Sequence, residues 1–293
     1  MPWQQLHMVT ASQRAERLQS LLERFGACAV TLTDAADQPL FEPPPGETPL
    51  WDQTVVSALF EQHQPLAPVL AQLEQAWEGP LPAHQVEQLE DQTWERVWMD
   101  DFAPMRFGSR LWIIPGGHES KGGDAVNLML DPGLAFGTGT HETTALCLEW
   151  LDGASLAGKQ VLDFGCGSGV LAIAALLLGA ERAVCCDIDP QALIATRDNA
   201  GRNGVLDRVQ TCLPADMPAA QHYDLVVANI LAGPLQELSP TLTGFCRPGG
   251  ELVLSGILAS QAEDVASCYR KTFTMEPMAQ RGDWVRLSGT RRS

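Results

Sequence analysis

Two regimes of hydrophobic and polar patterning follow one another along this chain. Residues 3–9 read as a strand, and Ala15, Leu18, Leu21, Leu22 and Phe25 then recur at helical spacing up to Gly26, a helix stop. Cys28, Val30 and Leu32 alternate as on a second strand. Beyond the turn-rich segment 41–46, residues 55–60 predict a strand and residues 66–77 a helix, with Pro68 tolerable only near its start. Residues 85–89 supply a last strand. The β-α-β-β-α-β succession predicts a small ferredoxin-like α+β domain over residues 1–90, a scaffold used for recognition. Trp94, Trp98 and Phe102 then sit four apart and predict a linker helix over 91–108. Packing of that aromatic stripe on a domain is favoured over a ledge that grips substrate.

From residue 109 to 293 strands and helices alternate. Strands are expected at 111–114, 126–130, 161–164, 183–187, 209–213, 225–228, 252–254 and 284–288, with helices at 142–151, 170–178 and 191–203, the last ended by Gly204. The fold class is α/β: a doubly wound, Rossmann-like sheet with helices on both faces.

Composition narrows the function. With 45% hydrophobic and 19% charged residues, the chain is ordinary for a soluble protein. Its longest apolar run, 170–178, is too short to span a membrane. The opening residues 1–5 lack the basic head and apolar core of a secretory signal, so a cytoplasmic protein is expected. Eight cysteines without a C-x-x-C pair predict free thiols in a core. His141-Glu142 lacks the second histidine of a zinc helix, and no metal is expected. The net charge of −17 disfavours sequence-specific nucleic-acid binding and favours a cationic partner, although solubility accounts for part of it.

Three segments carry candidate chemistry. The first is a G-x-G-x-G turn, Gly165, Gly167 and Gly169, between an apolar strand containing Asp163 and an apolar helix. Glycines allow a tight turn and let a ligand lie against bare backbone. The dinucleotide fingerprint places its third glycine one residue later, where this chain has Val170, and no G-K-[ST] is present for a phosphate. Asp187 ends the next strand, where a carboxylate can accept both hydroxyls of a ribose. A nucleoside cofactor without a pyrophosphate points to a methyl donor. The second segment, 130–144, is rich in Gly and Thr and opens a helix that can face a ligand carboxylate; Thr143 or Thr144 equally suits a helix cap. In the third, Asn229 ends a strand before a turn through Ala232-Gly233-Pro234. An amide carbonyl there can orient an amine without holding it charged. Phe136 either shelters the sulfonium of a methyl donor or belongs to the core.

These segments resemble the methyltransferases that use S-adenosylmethionine (SAM). The stretches 130–141, 163–169, 187–190 and 228–232 together are similar to the PrmA family, which methylates ribosomal large-subunit protein eleven. The resemblance covers the whole chain. It implies that the small N-terminal domain grips that protein, while the larger domain methylates lysine side chains and the N-terminal amine. It also implies SAM contacts at Thr144, Gly165, Asp187 and Asn229. Gly167 joins these as a neighbour in the turn, and Asn229 is the candidate catalytic residue. Two rivals remain open: a SAM enzyme acting on nucleic-acid amino groups, and a binding module without activity. Residues 229–232 lack the prolines and aromatic stacker of the first, and the intact glycine turn argues against the second.

Overall fold

Residues two apart share a face of a strand, and that rule builds the first core. Leu6 and Met8 of β1 (Trp3–Ala11) and Val56, Ala58 and Phe60 of β3 (Gln53–Glu61) are fully buried. They pack on Ala15, Leu18 and Leu22 of α1 (Ser12–Arg24) and on Val69 and Leu73 of α2 (Leu66–Ala76). With β2 (Ala29–Asp34) and β4 (His84–Leu89) these strands form an antiparallel four-stranded sheet in the order β2-β3-β1-β4. The β-α-β-β-α-β succession is the one expected. Gly26 follows α1 with φ 99°, and Pro68 lies in the first turn of α2, where no intrahelical N–H is needed.

The structure is a computed structural model that describes residues 3–36, 50–89, 103–130, 141–217 and 222–293. The chain divides into two units, Met1–Val97 and Trp98–Ser293. Trp94, Trp98 and Phe102 of the expected linker helix lie outside the described residues. The end of the 91–108 range holds a strand, β5 (Met105–Phe107).

In the second unit the main sheet runs β10 (Val209–Cys212), β9 (Arg182–Cys186), β8 (Gln160–Phe164), β11 (Tyr223–Asn229), β12 (Cys246–Leu258), β15 (Trp284–Arg291) and β13 (Phe273–Met275). A short β14 (Ala279–Arg281) pairs with β15. The strands are parallel from β10 to β12, and β15 is antiparallel to both β12 and β13. Alternation sorts the faces: Val161 joins one core with α3 (Glu142–Gly153) and α4 (Val170–Leu177), while Leu162 and Phe164 join the other. Ala200 of α5 (Pro190–Arg202) belongs to the first core.

Three expectations need correction. The apolar runs at 111–114 and 126–130 do not enter the main sheet. As β6 (Leu111–Ile114) and β7 (Val126–Met129) they form a separate three-stranded sheet with β5. Its Phe107, Leu111, Ile113 and Leu128 pack into the α3/α4 core, so their burial looks like that of a central strand. The residues after Asn229 do not make a plain turn: α6 (Ala232–Glu237) starts at Ala232, with Pro234 in its first turn. The region 239–269 contains α7 (Ser239–Phe245) and α8 (Ala262–Tyr269), neither of which was foreseen, and β12 is far longer than 252–254. All eight cysteines are free; Cys28 and Cys268 are exposed and the others buried, as core thiols should be.

One buried carboxylate ties the small sheet to α3. Asp152 accepts the Ser109 hydroxyl at 2.8 Å and the N–H groups of Arg110 at 3.1 Å and Leu111 at 3.0 Å, besides the Ser109 N–H. Burial alone would raise this carboxyl, but the donors from Ser109, Arg110 and Leu111 outweigh it and hold it below its ordinary value. Gly108, at φ 68°, has room only for a hydrogen, because a Cβ would meet Asp152 Oδ2 at 2.4 Å. Asp152→Ala is expected to destabilise the protein by about 1–3 kcal/mol in urea unfolding, since it strands the buried Leu111 N–H and removes the bonds of Ser109 and Arg110. A depressed carboxyl contributes stability above its unfolded value of about 3.9 and loses it as pH falls through the lower folded value. The gap between wild type and variant should therefore be full at neutral pH and shrink only in acid.

Candidate functional site

The order of the main sheet reverses between β8 and β11. From β8 the chain moves outward through β9 to β10, then returns to place β11 on the other side of β8. A crevice opens at the carboxyl ends of strands at such a point. The glycine turn leaves β8 there, and Asn229 ends β11 beside it.

The turn has a backbone that favours glycine. Gly165, Gly167 and Gly169 stand at φ 76°, 54° and 76°. A Cβ on Gly165 would lie 2.3 Å from Ile230 Cγ2, so the tips of β8 and β11 touch at this point. The N–H groups of Gly165 and Cys166 donate to the Cys186 carbonyl at 2.7 and 3.1 Å. Asp187 binds the turn from the end of β9: its Oδ2 accepts the Gly167 N–H at 2.9 Å, and its Oδ1 accepts the Asp189 N–H at 3.0 Å. The carboxylate predicted for a ribose is thus held by two backbone donors, one from the turn and one from Asp189, two residues beyond Asp187 in sequence. Ile188, the next residue, is 84% exposed, an unusual position for a large aliphatic side chain.

Asp163 lies beneath the turn and is buried. Its Oδ2 accepts the Ala172 N–H at 3.0 Å in the first turn of α4, and its Oδ1 is buried with no hydrogen-bond partner. Burial pushes its carboxyl up to about 7; the Ala172 N–H opposes the shift and the charge of Asp187 adds to it. A buried oxygen without a donor is costly unless a ligand supplies one.

Across the crevice, Asn229 Nδ2 donates to Thr144 Oγ1 at 3.3 Å, which joins two of the predicted residues. Gly256, at φ 84° where β12 loses register with β15, makes room for this tip, since a Cβ would meet the Ile230 carbonyl oxygen at 2.3 Å. The cap of α3 is His141 rather than a threonine: its ring nitrogen accepts the Thr143 N–H at 3.4 Å and bonds the Thr143 hydroxyl at 2.9 Å. The His141 ring meets Trp284 of β15 edge-on, with centroids 4.9 Å apart.

Gly165, Gly167, Asp187, Asn229 and Thr144 therefore belong to one crevice. Phe136 lies outside the described residues. Sequence reading passed over Ile188, the orphan oxygen of Asp163 and the pairing of His141 with Trp284. An aliphatic residue beside a strand-end acid was the one local signal available for the first.

The sequence profile described as ribosomal protein L11 methyltransferase (PrmA) matches residues 2–292. The ribosomal protein L11 methyltransferase of Pseudomonas aeruginosa strain LESB58 is 60% identical over 294 residues, with all of both chains covered. That of Azotobacter vinelandii is 58% identical over 293 residues, again with full coverage of both. A crystal structure of the ribosomal protein L11 methylase of Lactobacillus delbrueckii subsp. bulgaricus superposes with a TM-score of 0.59 at 34% identity, covering 66% of this chain and 100% of that one. The glycine turn, the strand-end acid and the asparagine thus occur in a sequence matched almost from end to end, and the chain belongs to the PrmA family of ribosomal protein L11 methyltransferases, which are SAM-dependent enzymes.

Proposed function

We propose that the chain transfers methyl groups from SAM to lysine ε-amines and the N-terminal α-amine of ribosomal protein L11, with Asn229 at the transfer point. The observation that carries this reading is the crevice itself, where a glycine turn pinned by Asp187 faces Asn229 across the reversal of the sheet.

The residues present suit an adenosyl sulfonium amino acid. Asp187 offers carboxylate oxygens to a ribose diol, and Ile188 offers an apolar surface to a base. The bare backbone of Gly165 and Gly167 admits the ligand closely. The orphan Oδ1 of Asp163 is suited to a cationic donor such as an α-ammonium. Thr144 closes the far side, and Phe136 stays a candidate shelter for the sulfonium. SAM supplies a methyl already activated as an electrophile by its positive sulfur.

What remains for the protein is to hold a neutral amine in line. A free lysine, with pKa about 10.4, costs about 4–5 kcal/mol to deprotonate at neutral pH unless the site lowers that value. With Nδ2 engaged by Thr144, Asn229 keeps its amide oxygen for the incoming amine. A neutral acceptor orients the nitrogen without stabilising its ammonium form. The His141–Trp284 pair near the start of α3 supplies aromatic surface that tolerates a methylated cation.

Charge favours a lysine-rich partner. Residues 1–97 contain 14 acidic residues, four arginines and no lysine. Arg17 pairs with Glu78, which offsets its charge, while Arg14 stacks 4.0 Å above Trp77. Such a unit attracts a basic protein and repels an RNA backbone. Among the described residues no helix is long and apolar enough to cross a membrane, and the proposed substrate implies work in the cytoplasm.

The test is to incubate the enzyme with labelled SAM and either ribosomal protein L11, RNA or neither. Label in the ribosomal protein, at lysines and the N-terminus, is expected. Label in RNA, or none in the protein, would overturn the reading.

A further inference from the structure

Helix α5 carries a polar face toward the interior, although α4, which packs on the same sheet, is apolar and buried from Val170 to Leu176. Thr196 and Asn199 of the helix, and Asn203, which caps its C-terminus, stand at i, i+3 and i+7 and lie on one side. Thr196, fully buried, donates its hydroxyl to the Gly167 carbonyl at 3.0 Å. Asn199 Nδ2 donates to the Ser168 carbonyl at 2.9 Å. Asn203 takes both backbone groups of Met129, the last residue of β7: its Oδ1 accepts the N–H and its Nδ2 donates to the carbonyl, each at 2.8 Å. Asn203 Nδ2 also reaches the Asn199 carbonyl at 2.8 Å.

Two of these bonds end on the glycine turn, at the Gly167 and Ser168 carbonyls, and two on Met129 at the tip of β7. The donor four residues beyond Ser168, the Ala172 N–H, goes to Asp163, and Asn199 serves the Ser168 carbonyl. Gly167 is held from both sides, its N–H by Asp187 and its carbonyl by Thr196. A Cβ on Gly169 would meet Thr196 Cγ2 at 2.7 Å, so helix and turn are in contact there. Met129 stands immediately before the segment that leads to His141 and Thr144. An apolar face would fill the same space without desolvating two amides and a hydroxyl. The polar choice therefore serves placement.

We propose that Thr196, Asn199 and Asn203 are positioning residues through which α5 sets the glycine turn and the tip of β7 in register, the first two governing affinity for SAM and Asn203 governing the transfer step. The division follows from what each side chain touches: the glycine turn in two cases, and in the third the tip of β7, after which the sequence runs on to His141 and Thr144. The inference rests on the crevice being the SAM site.

The test measures calorimetric affinity for S-adenosylhomocysteine, methyl-transfer kinetics on ribosomal protein L11 at saturating SAM, and melting temperature. The variants are Thr196→Val, Thr196→Ser, Asn199→Leu, Asn203→Leu and, as a control, Asp187→Ala. Thr196→Val and Asn199→Leu are each expected to weaken binding by about tenfold, as loss of one buried hydrogen bond does, with kcat within about twofold of wild type. Thr196→Ser keeps the hydroxyl and should restore the affinity. Asn203→Leu should lower kcat by about tenfold, with affinity within about threefold. Parallel loss of affinity and kcat in every variant, or loss of melting temperature alone, would overturn the proposal. If Asp187→Ala loses ligand while the α5 variants behave as wild type, only this inference fails; if Asp187→Ala binds normally, the assignment of the crevice fails with it.

Discussion

Replacing Asn229 by Ala is expected to lower kcat for methyl transfer by about a hundredfold while leaving much of the affinity for S-adenosylhomocysteine in place. The side chain is only half-buried and makes a single long bond to Thr144, so the fold should survive its loss. What disappears is the neutral acceptor that fixes the amine nitrogen. Asn229→Asp separates orientation from charge. Its carboxylate can still accept the bond, but it favours the ammonium form of the substrate. That variant should be slow at neutral pH and recover part of its rate as pH rises. Unchanged turnover in Asn229→Ala would remove Asn229 from the transfer step.

Asp187→Ala is expected to raise the dissociation constant for SAM by about a hundredfold or more. Two effects act together: the ribose loses a charged acceptor, and the Gly167 N–H loses its partner at 2.9 Å. Asp187→Asn keeps an oxygen for Gly167 but loses the charge, and should fall between the two. Binding isotherms for the three proteins check this order. Equal affinity in all three would remove Asp187 from the SAM site and, with it, the assignment of the crevice.

The sequence showed the crevice more readily than its supports. The turn at 165–169, Asp187 and Asn229 are local features at strand ends, and the apolar strands that present them read correctly. The short run at 111–114 was harder, because a buried strand has the same apolar content whichever sheet it joins. Thr196, Asn199 and Asn203 look in sequence like the solvated side of an amphipathic helix. Only the carbonyls of Gly167, Ser168 and Met129, brought there by the fold, make that side an inner one. The pairing of His141 with Trp284 joins α3 to β15 across most of the second unit's sequence and leaves no periodic trace. The orphan oxygen of Asp163 depends on which carboxylate oxygen the Ala172 N–H takes, a matter of geometry alone.

Titration of the purified protein by calorimetry, with S-adenosylhomocysteine and with NAD in parallel, tests most directly what the crevice is built to hold. A glycine turn followed by Val170, with Asp187 beside it, should give saturable binding of S-adenosylhomocysteine and none of NAD. Capture of NAD with no binding of S-adenosylhomocysteine would contradict the account.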